Sequence, residues 1–255
     1  MFNWTAHSAD PNHGPSLAGW SDYYASISKL VFLPELGKGK THHDFVLDLL
    51  NVKGRVLDIG IAEHTLEYVT KSSWFHLKLR ALEPANEVWG LDINHELIEY
   101  VRGHYGWDRL MTYDATREPF KREYFDAIHA GDVIEHVDNL GGFLAFCRDS
   151  LKPGGQLVVS TPNPHAWEFI KRIRQHDCVP ANLEHTCWIT PPSMNELCRR
   201  FGLEFEASYY LCGKQKTRRA RYLGQRFYFK FRDFLWYEFL WVLRKPRADA
   251  GSAAG

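Results

Sequence analysis

Four short apolar runs, each closed by glycine, an acid or proline, constrain this chain most. They are RVLDIG from Arg55, EVWGLDIN from Glu87, YFDAIHAGD from Tyr124 and QLVVSTP from Gln156. Each is apolar enough that neither face can be left in water, the pattern of strands in a covered parallel sheet. Helical stretches lie among them at Thr41 to Leu50, His95 to Arg102, Leu140 to Leu151 and Pro191 to Phe201. The last has proline at its start and Gly202 just past its end, a start and a stop signal. Shorter strands read at Leu110 to Tyr113 and Leu203 to Leu211. Strands alternating with helices predict an α/β fold with a mostly parallel sheet and helices on both faces.

A chain of 255 residues suits one such domain with additions. Lys plus Arg and Asp plus Glu balance at 31 each, so no global charge draws it to nucleic acid. Five cysteines at irregular spacing do not form a disulfide framework. The N-terminal residues lack the apolar core of a signal peptide. No apolar run reaches the ~18 residues of a spanning helix. The expected location is the cytoplasm. Residues 1–40 read as a leader that covers something, 41–212 as the main domain, 213–247 as a basic, aromatic helical segment, and 248–255 as a flexible tail.

A strand, a glycine turn, a helix, then a strand ending in an acid is what a nucleoside-type cofactor needs. The turn lets backbone approach the ligand, and the acid can hold two ribose hydroxyls. Asp58 and Gly60 stand at the first turn and Asp92 ends the second strand. Alone, this pattern fits NAD or another nucleotide equally well.

The ordered set VLDIG, GLDIN, YDATREPF, FDAIHAGDVIEHV and LKPGGQLVVSTPNP breaks the tie. It resembles the class I S-adenosylmethionine (SAM)-dependent methyltransferases, nearest to the group holding ubiquinone-biosynthesis and sugar O-methyltransferases. The resemblance spans residues 40–212 and implies a Rossmann-like fold with a seven-stranded sheet. It implies that Asp58 and Gly60 face the cofactor turn, with Gly60 under the methionine end. It implies that Asp92 and its neighbour Ile93 meet the ribose, Asp114 and Ala115 the adenine edge, and Asp132 and Val133 the sulfonium pocket. For Asp58 and Asp114 the alternative is a turn-capping acid; for Asp92 it is compensation of a helix dipole. One departure stands out. Where the family has Gly-x-Gly-x-Gly, this chain has Gly60-Ile61-Ala62-Glu63-His64, and an insertion over Thr70 to Ala85 extends the first helix or caps the site.

Methyl transfer to a hydroxyl needs an aligned acceptor and somewhere for its proton to go. Glu135 and His136 are the candidate catalytic pair, with His136 as base. The segment Asp132-Val133-Ile134-Glu135-His136 resembles the acid-x-x-Glu-His element of metal-dependent ubiquinone and small-RNA methyltransferases. A downstream histidine in the latter nominates His185. Two readings stay open: Asp132, Glu135, His136 and His185 bind Mg²⁺ or a similar ion, or His136 works without metal.

Lys214 to Arg247 is dense in aromatics and cations. Plotted as a helix it is apolar on several sides and must bury itself in the protein's own core, in a second subunit, or at a membrane surface through 222–244. The last option would put the protein at the inner face of a membrane. The expected activity is SAM-dependent O-methylation of a sugar, glycan or lipid-linked small molecule. N- or C-methylation of a small metabolite, or a degenerate SAM-binding scaffold, are the alternatives.

Overall fold

The computed structural model describes residues 28–31, 41–50, 54–62, 66–83, 86–176, 182–211 and 238–247. The remaining parts of the expected leader, of the C-terminal segment (212–237) and the tail lie outside the described residues. Strands β1 (Ser28–Val31), β2 (Arg55–Ile59), β3 (Glu87–Asp92), β4 (Leu110–Thr112), β5 (Phe125–Gly131), β6 (Leu151–Pro162), β7 (Glu204–Leu211) and β8 (Glu238–Arg244) form one sheet. Its order is β1-β7-β8-β6-β5-β2-β3-β4. Every pairing is parallel except those of β8, which runs antiparallel to both β6 and β7. The expected seven-stranded, mostly parallel sheet is therefore present, with β1 added on its edge. That strand corrects part of the leader reading: Ser28–Val31 pairs with β7.

Helices α1 (His42–Leu50), α2 (Leu66–Val69), α3 (Phe75–Arg80), α4 (His95–Tyr105), α5 (Leu140–Ser150), α6 (Trp167–His176) and α7 (Pro191–Phe201) complete the described elements. The pleat sends alternate residues to opposite faces. Leu57, Ile59, Ile128, Ala130 and Val159 enter a core with α5 and α7. Val56, Ala127 and Val158 enter a second core with α1 and α3. Gly202 ends α7 at φ +70°, the left-handed conformation its sequence position predicts. The insertion does not lengthen the helix before it: α2 ends at Val69, and the described residues from Thr70 on hold a turn and α3.

The largest correction concerns the C-terminal segment. Residues 238–244 are not helical. They form β8, in which Phe239, Trp241 and Leu243 enter one core while Leu240 and Val242 enter the other. A strand buried on both faces is apolar at every position, so a helical plot of it is apolar all round. Being inside the sheet, these residues are unavailable to a membrane, and the domain reading that stopped at residue 212 must include them. Among the described residues, no helix is long and apolar enough to cross a membrane.

Candidate functional site

The carboxyl ends of β2, β3 and β5 meet at one edge of the sheet, where open α/β folds bind ligands. Gly60 leaves β2 at φ +74°, and a Cβ there would stand 2.3 Å from Val133 Cγ2. Glycine is thus required twice, by conformation and by the approach of Val133. Its N–H and that of Ile61 both donate to the Leu91 carbonyl, at 2.8 and 3.3 Å. The Ala62 N–H donates to Asp92 Oδ2 at 2.9 Å, and the Asn94 N–H to Asp92 Oδ1 at 2.8 Å. Asp92 is buried. That burial pushes its pKa up, and the backbone donors only partly offset it. Beside it Ile93 is 78% exposed, an apolar side chain held out at the sheet edge.

Asp58, the acid that the resemblance put at the cofactor turn, stands two residues before Gly60. The pleat turns it to the face opposite Leu57 and Ile59, where it is buried. Oδ1 accepts from His129 Nδ1 at 2.7 Å and Oδ2 from His76 Nδ1 at 2.9 Å. Burial alone would raise its pKa, but the two imidazoles outweigh it and hold the carboxyl below its ordinary value. Both oxygens of Asp58 thus accept from imidazoles inside the protein, as both oxygens of Asp92 accept from backbone. Asp114 behaves as the turn acid allowed for it. Oδ1 accepts from the Thr116 N–H and hydroxyl, and Oδ2 from Arg117, which together keep its pKa low. Ala115 is buried behind it.

Across the turn, Asp132 closes β5 at φ +51°. Such backbone is uncommon outside glycine and clusters where a site fixes it. Its N–H donates to the Ser160 carbonyl at 3.1 Å. A 3₁₀ turn, Ile134–His136, follows and aims Glu135 inward. Glu135 is 1% exposed. Its Oε2 accepts from the Thr161 hydroxyl at 2.9 Å, while Oε1 is buried with no hydrogen-bond partner among the described residues. Burial, then the charge of Asp132, pushes its pKa up to about 8.

The Glu135 carbonyl accepts the Thr186 N–H at 2.8 Å, fastening the loop that carries His185. The rings of His136 and His185 meet edge to face at 4.8 Å. One ligand atom from each of Glu135, His136 and His185 lies within 4.8 Å of the others. The structure thus gathers three of the four nominated metal ligands. Asp132 stands outside that group, exposed, with Oδ1 accepting from the Ser160 hydroxyl. His185 also meets Trp188, and Trp188 meets Phe169, both edge to face at 5.6 and 5.4 Å. Thr161, Thr186 and Trp188 were not singled out in sequence. Thr161 lies in the quoted run LKPGGQLVVSTPNP, and Thr186 and Trp188 follow the nominated His185.

A family model described as a methyltransferase domain matches residues 38–208. Over 72 residues the chain is 45% identical to a ubiquinone biosynthesis O-methyltransferase of Bradyrhizobium sp. (strain ORS 278), covering 28% of each. Over 160 residues it is 24% identical to the protein of that name from Aromatoleum aromaticum, covering 59% of this chain and 64% of the relative. The chain thus spans less than two thirds of either relative. Among solved structures, a SAM-dependent methyltransferase from Archaeoglobus fulgidus superposes with a TM-score of 0.53 at 18% identity, covering 79% of this chain and 90% of that one. That likeness speaks for the fold alone.

Proposed function

Because the chain belongs to the methyltransferase-domain family and is a SAM-dependent methyltransferase, we propose that it methylates a hydroxyl of a flat phenolic acceptor held against Glu135, His136 and His185. The observation that carries this reading is the convergence of those three side chains beside the Gly60 turn. An alcohol needs help to lose its proton, and this cluster is where help is concentrated. The wall of His185, Trp188 and Phe169 suits a planar ring better than the sugar hydroxyl anticipated from sequence. The relatives' name, ubiquinone biosynthesis O-methyltransferase, points the same way.

The cofactor cradle fits its role. Gly60 leaves room that a Cβ would fill, and Asp92 offers a buried carboxylate at a strand end. Gly60, Asp92, Ile93, Asp132 and Val133 would hold SAM, with Asp114 and Ala115 at its base. Bound SAM supplies a methyl already activated on a sulfonium. His136 accepts the hydroxyl proton on an imidazole nitrogen as the acceptor oxygen takes the methyl. Glu135, with Thr161 on one oxygen, stands in the same cluster as that imidazole, and burial pushes its pKa up to about 8.

The donor set also fits a divalent cation: one buried carboxylate oxygen with no hydrogen-bond partner among the described residues, and two imidazoles. Glu135, His136 and His185 would hold it, and it would supply positive charge that makes the acceptor hydroxyl more acidic. Two nitrogens among three ligands favour a borderline first-row ion over Mg²⁺, which prefers oxygen. Labelled-methyl transfer to catechols and to sugar diols, before and after exhaustive chelation, tests both parts. Transfer to sugars but not catechols would overturn the phenolic reading. Activity undiminished by chelation would remove the cation.

A further inference from the structure

We infer that the insertion between the first and second strands of the cofactor half is a brace for the cofactor turn, and that Trp74 and His76 are positioning residues for SAM binding. The inference rests on the reading of the Gly60 turn as the SAM-facing one. The turn lacks the second and third glycines that its family uses, carrying Ala62 and His64 instead. Its shape must therefore be held by other means, and the structure shows where they come from.

Trp74 lies in the insertion just before α3 and is 1% exposed. Its indole N–H donates to the Ile61 carbonyl at 2.6 Å, the middle of the turn. His76, two residues further along, is fully buried and bonds Asp58 Oδ2 from Nδ1. A carboxylate only accepts, so Nδ1 carries the hydrogen. Nε2 of His76 is then left buried with no hydrogen-bond partner among the described residues, a costly arrangement that only the bond at Nδ1 offsets. Asp58 stands two residues before Gly60, and its other oxygen holds His129, two residues before Gly131. One carboxylate thus ties three pieces together: the strand feeding the cofactor turn, the strand feeding Asp132, and the insertion.

The packing agrees. A Cβ on Gly90 would stand 2.7 Å from Leu110 Cδ2, 2.9 Å from His76 Cε1 and 3.0 Å from Ile61 Cδ1, so β3 carries glycine where the brace, the turn and β4 all press on it. Behind the brace, Trp107 stacks on Trp74, and Tyr105 stacks on Trp107 with centroids 4.4 Å apart. The Tyr105 hydroxyl bonds the Val69 carbonyl rather than the turn, which provides an internal control.

Calorimetric titration of the full chain with S-adenosylhomocysteine, together with steady-state kinetics, tests the inference. Trp74→Phe keeps an aromatic side chain in the stack but removes the N–H donor together with part of the indole's bulk. It is expected to weaken S-adenosylhomocysteine about five-fold and raise the KM for SAM by a similar factor, with kcat at saturating SAM unchanged. His76→Leu is expected to weaken it further, and His76→Asn, whose amide can still donate to Asp58, to recover most of the loss. Tyr105→Phe loses a bond of the same kind in the same stack and is expected to leave affinity unchanged. Equal loss in Trp74→Phe and Tyr105→Phe, or unchanged affinity in Trp74→Phe, overturns the brace. A wild-type chain that binds no adenosyl ligand overturns instead the reading of the turn on which it rests.

Discussion

The two halves of the candidate site are built on opposite plans. Around Gly60 and Asp92, backbone and side-chain bonds converge: Gly60, Ile61 and Ala62 each donate, and Asp92 accepts on both oxygens. Around Glu135 the arrangement is unfinished. One carboxylate oxygen is buried with no hydrogen-bond partner among the described residues, the residue closing β5 is strained, and two imidazoles crowd together. Buried polar groups are normally satisfied, and exceptions mark places where something is to be bound or moved. The first half is a mould already set; the second holds its chemistry in reserve for an acceptor.

Four experiments break or sharpen that contrast. The largest effect is expected from His136→Ala, which should lower kcat by about 10²–10⁴-fold, the usual share of a general base, while S-adenosylhomocysteine affinity stays at the wild-type level in titration. Full turnover would remove His136 from the chemistry. Asp92→Ala should do the reverse, weakening S-adenosylhomocysteine by about 10–100-fold, as expected when a charged hydrogen-bond acceptor is lost. Unaltered affinity would show that the mould does not depend on its acid.

Gly60→Ala forces a Cβ into Val133 at positive φ and should lower unfolding free energy by about 1–3 kcal/mol in denaturant titration. Adding Val133→Ala relieves the clash but not the φ, so recovery should be partial. Complete recovery would assign the whole cost to packing. The smallest effect concerns Asp58. Its folded pKa is depressed, so its contribution to stability is present above the ordinary carboxylate range and lost as pH falls through the folded value. The difference in stability between wild type and Asp58→Asn should therefore shrink toward acid pH. A difference independent of pH would mean that ionisation of Asp58 does not contribute.

The fold was largely legible because buried parallel strands leave continuous apolar runs and helices leave caps. Arg55–Ile59 and Pro191–Phe201 fall where these signals put them. β8 was not legible, since Phe239 to Leu243 are apolar at every position and periodicity cannot choose between strand and helix. In the site, the grouping of Glu135 with His136 was local and readable. His185 came only from resemblance, because its approach depends on a loop fastened to the Glu135 carbonyl. The two imidazole partners of Asp58 were not legible, for a specific reason. The sequence puts an acid next to a glycine turn, but the pleat decides which side of the sheet receives it. Val56 on the same face already belonged to the core away from the turn. Trp74 and His76 gave no signal, since their partners are reached only through tertiary contact.

The placement of β8 has a consequence for how the chain becomes a protein. β7 touches the rest of the sheet only through β8 on one side and carries β1 on the other. During synthesis, β2 to β6 can pair while the ribosome is still well short of residue 238, leaving β6 with an open edge. Both outer strands must then wait for Glu238–Arg244 to slot between. The nascent chain thus exposes an apolar, unpaired border until Glu238–Arg244 has emerged, the condition under which edge-to-edge association competes with folding. Cutting the chain before Glu238 would not trim an appendage; it would unfasten one side of the sheet.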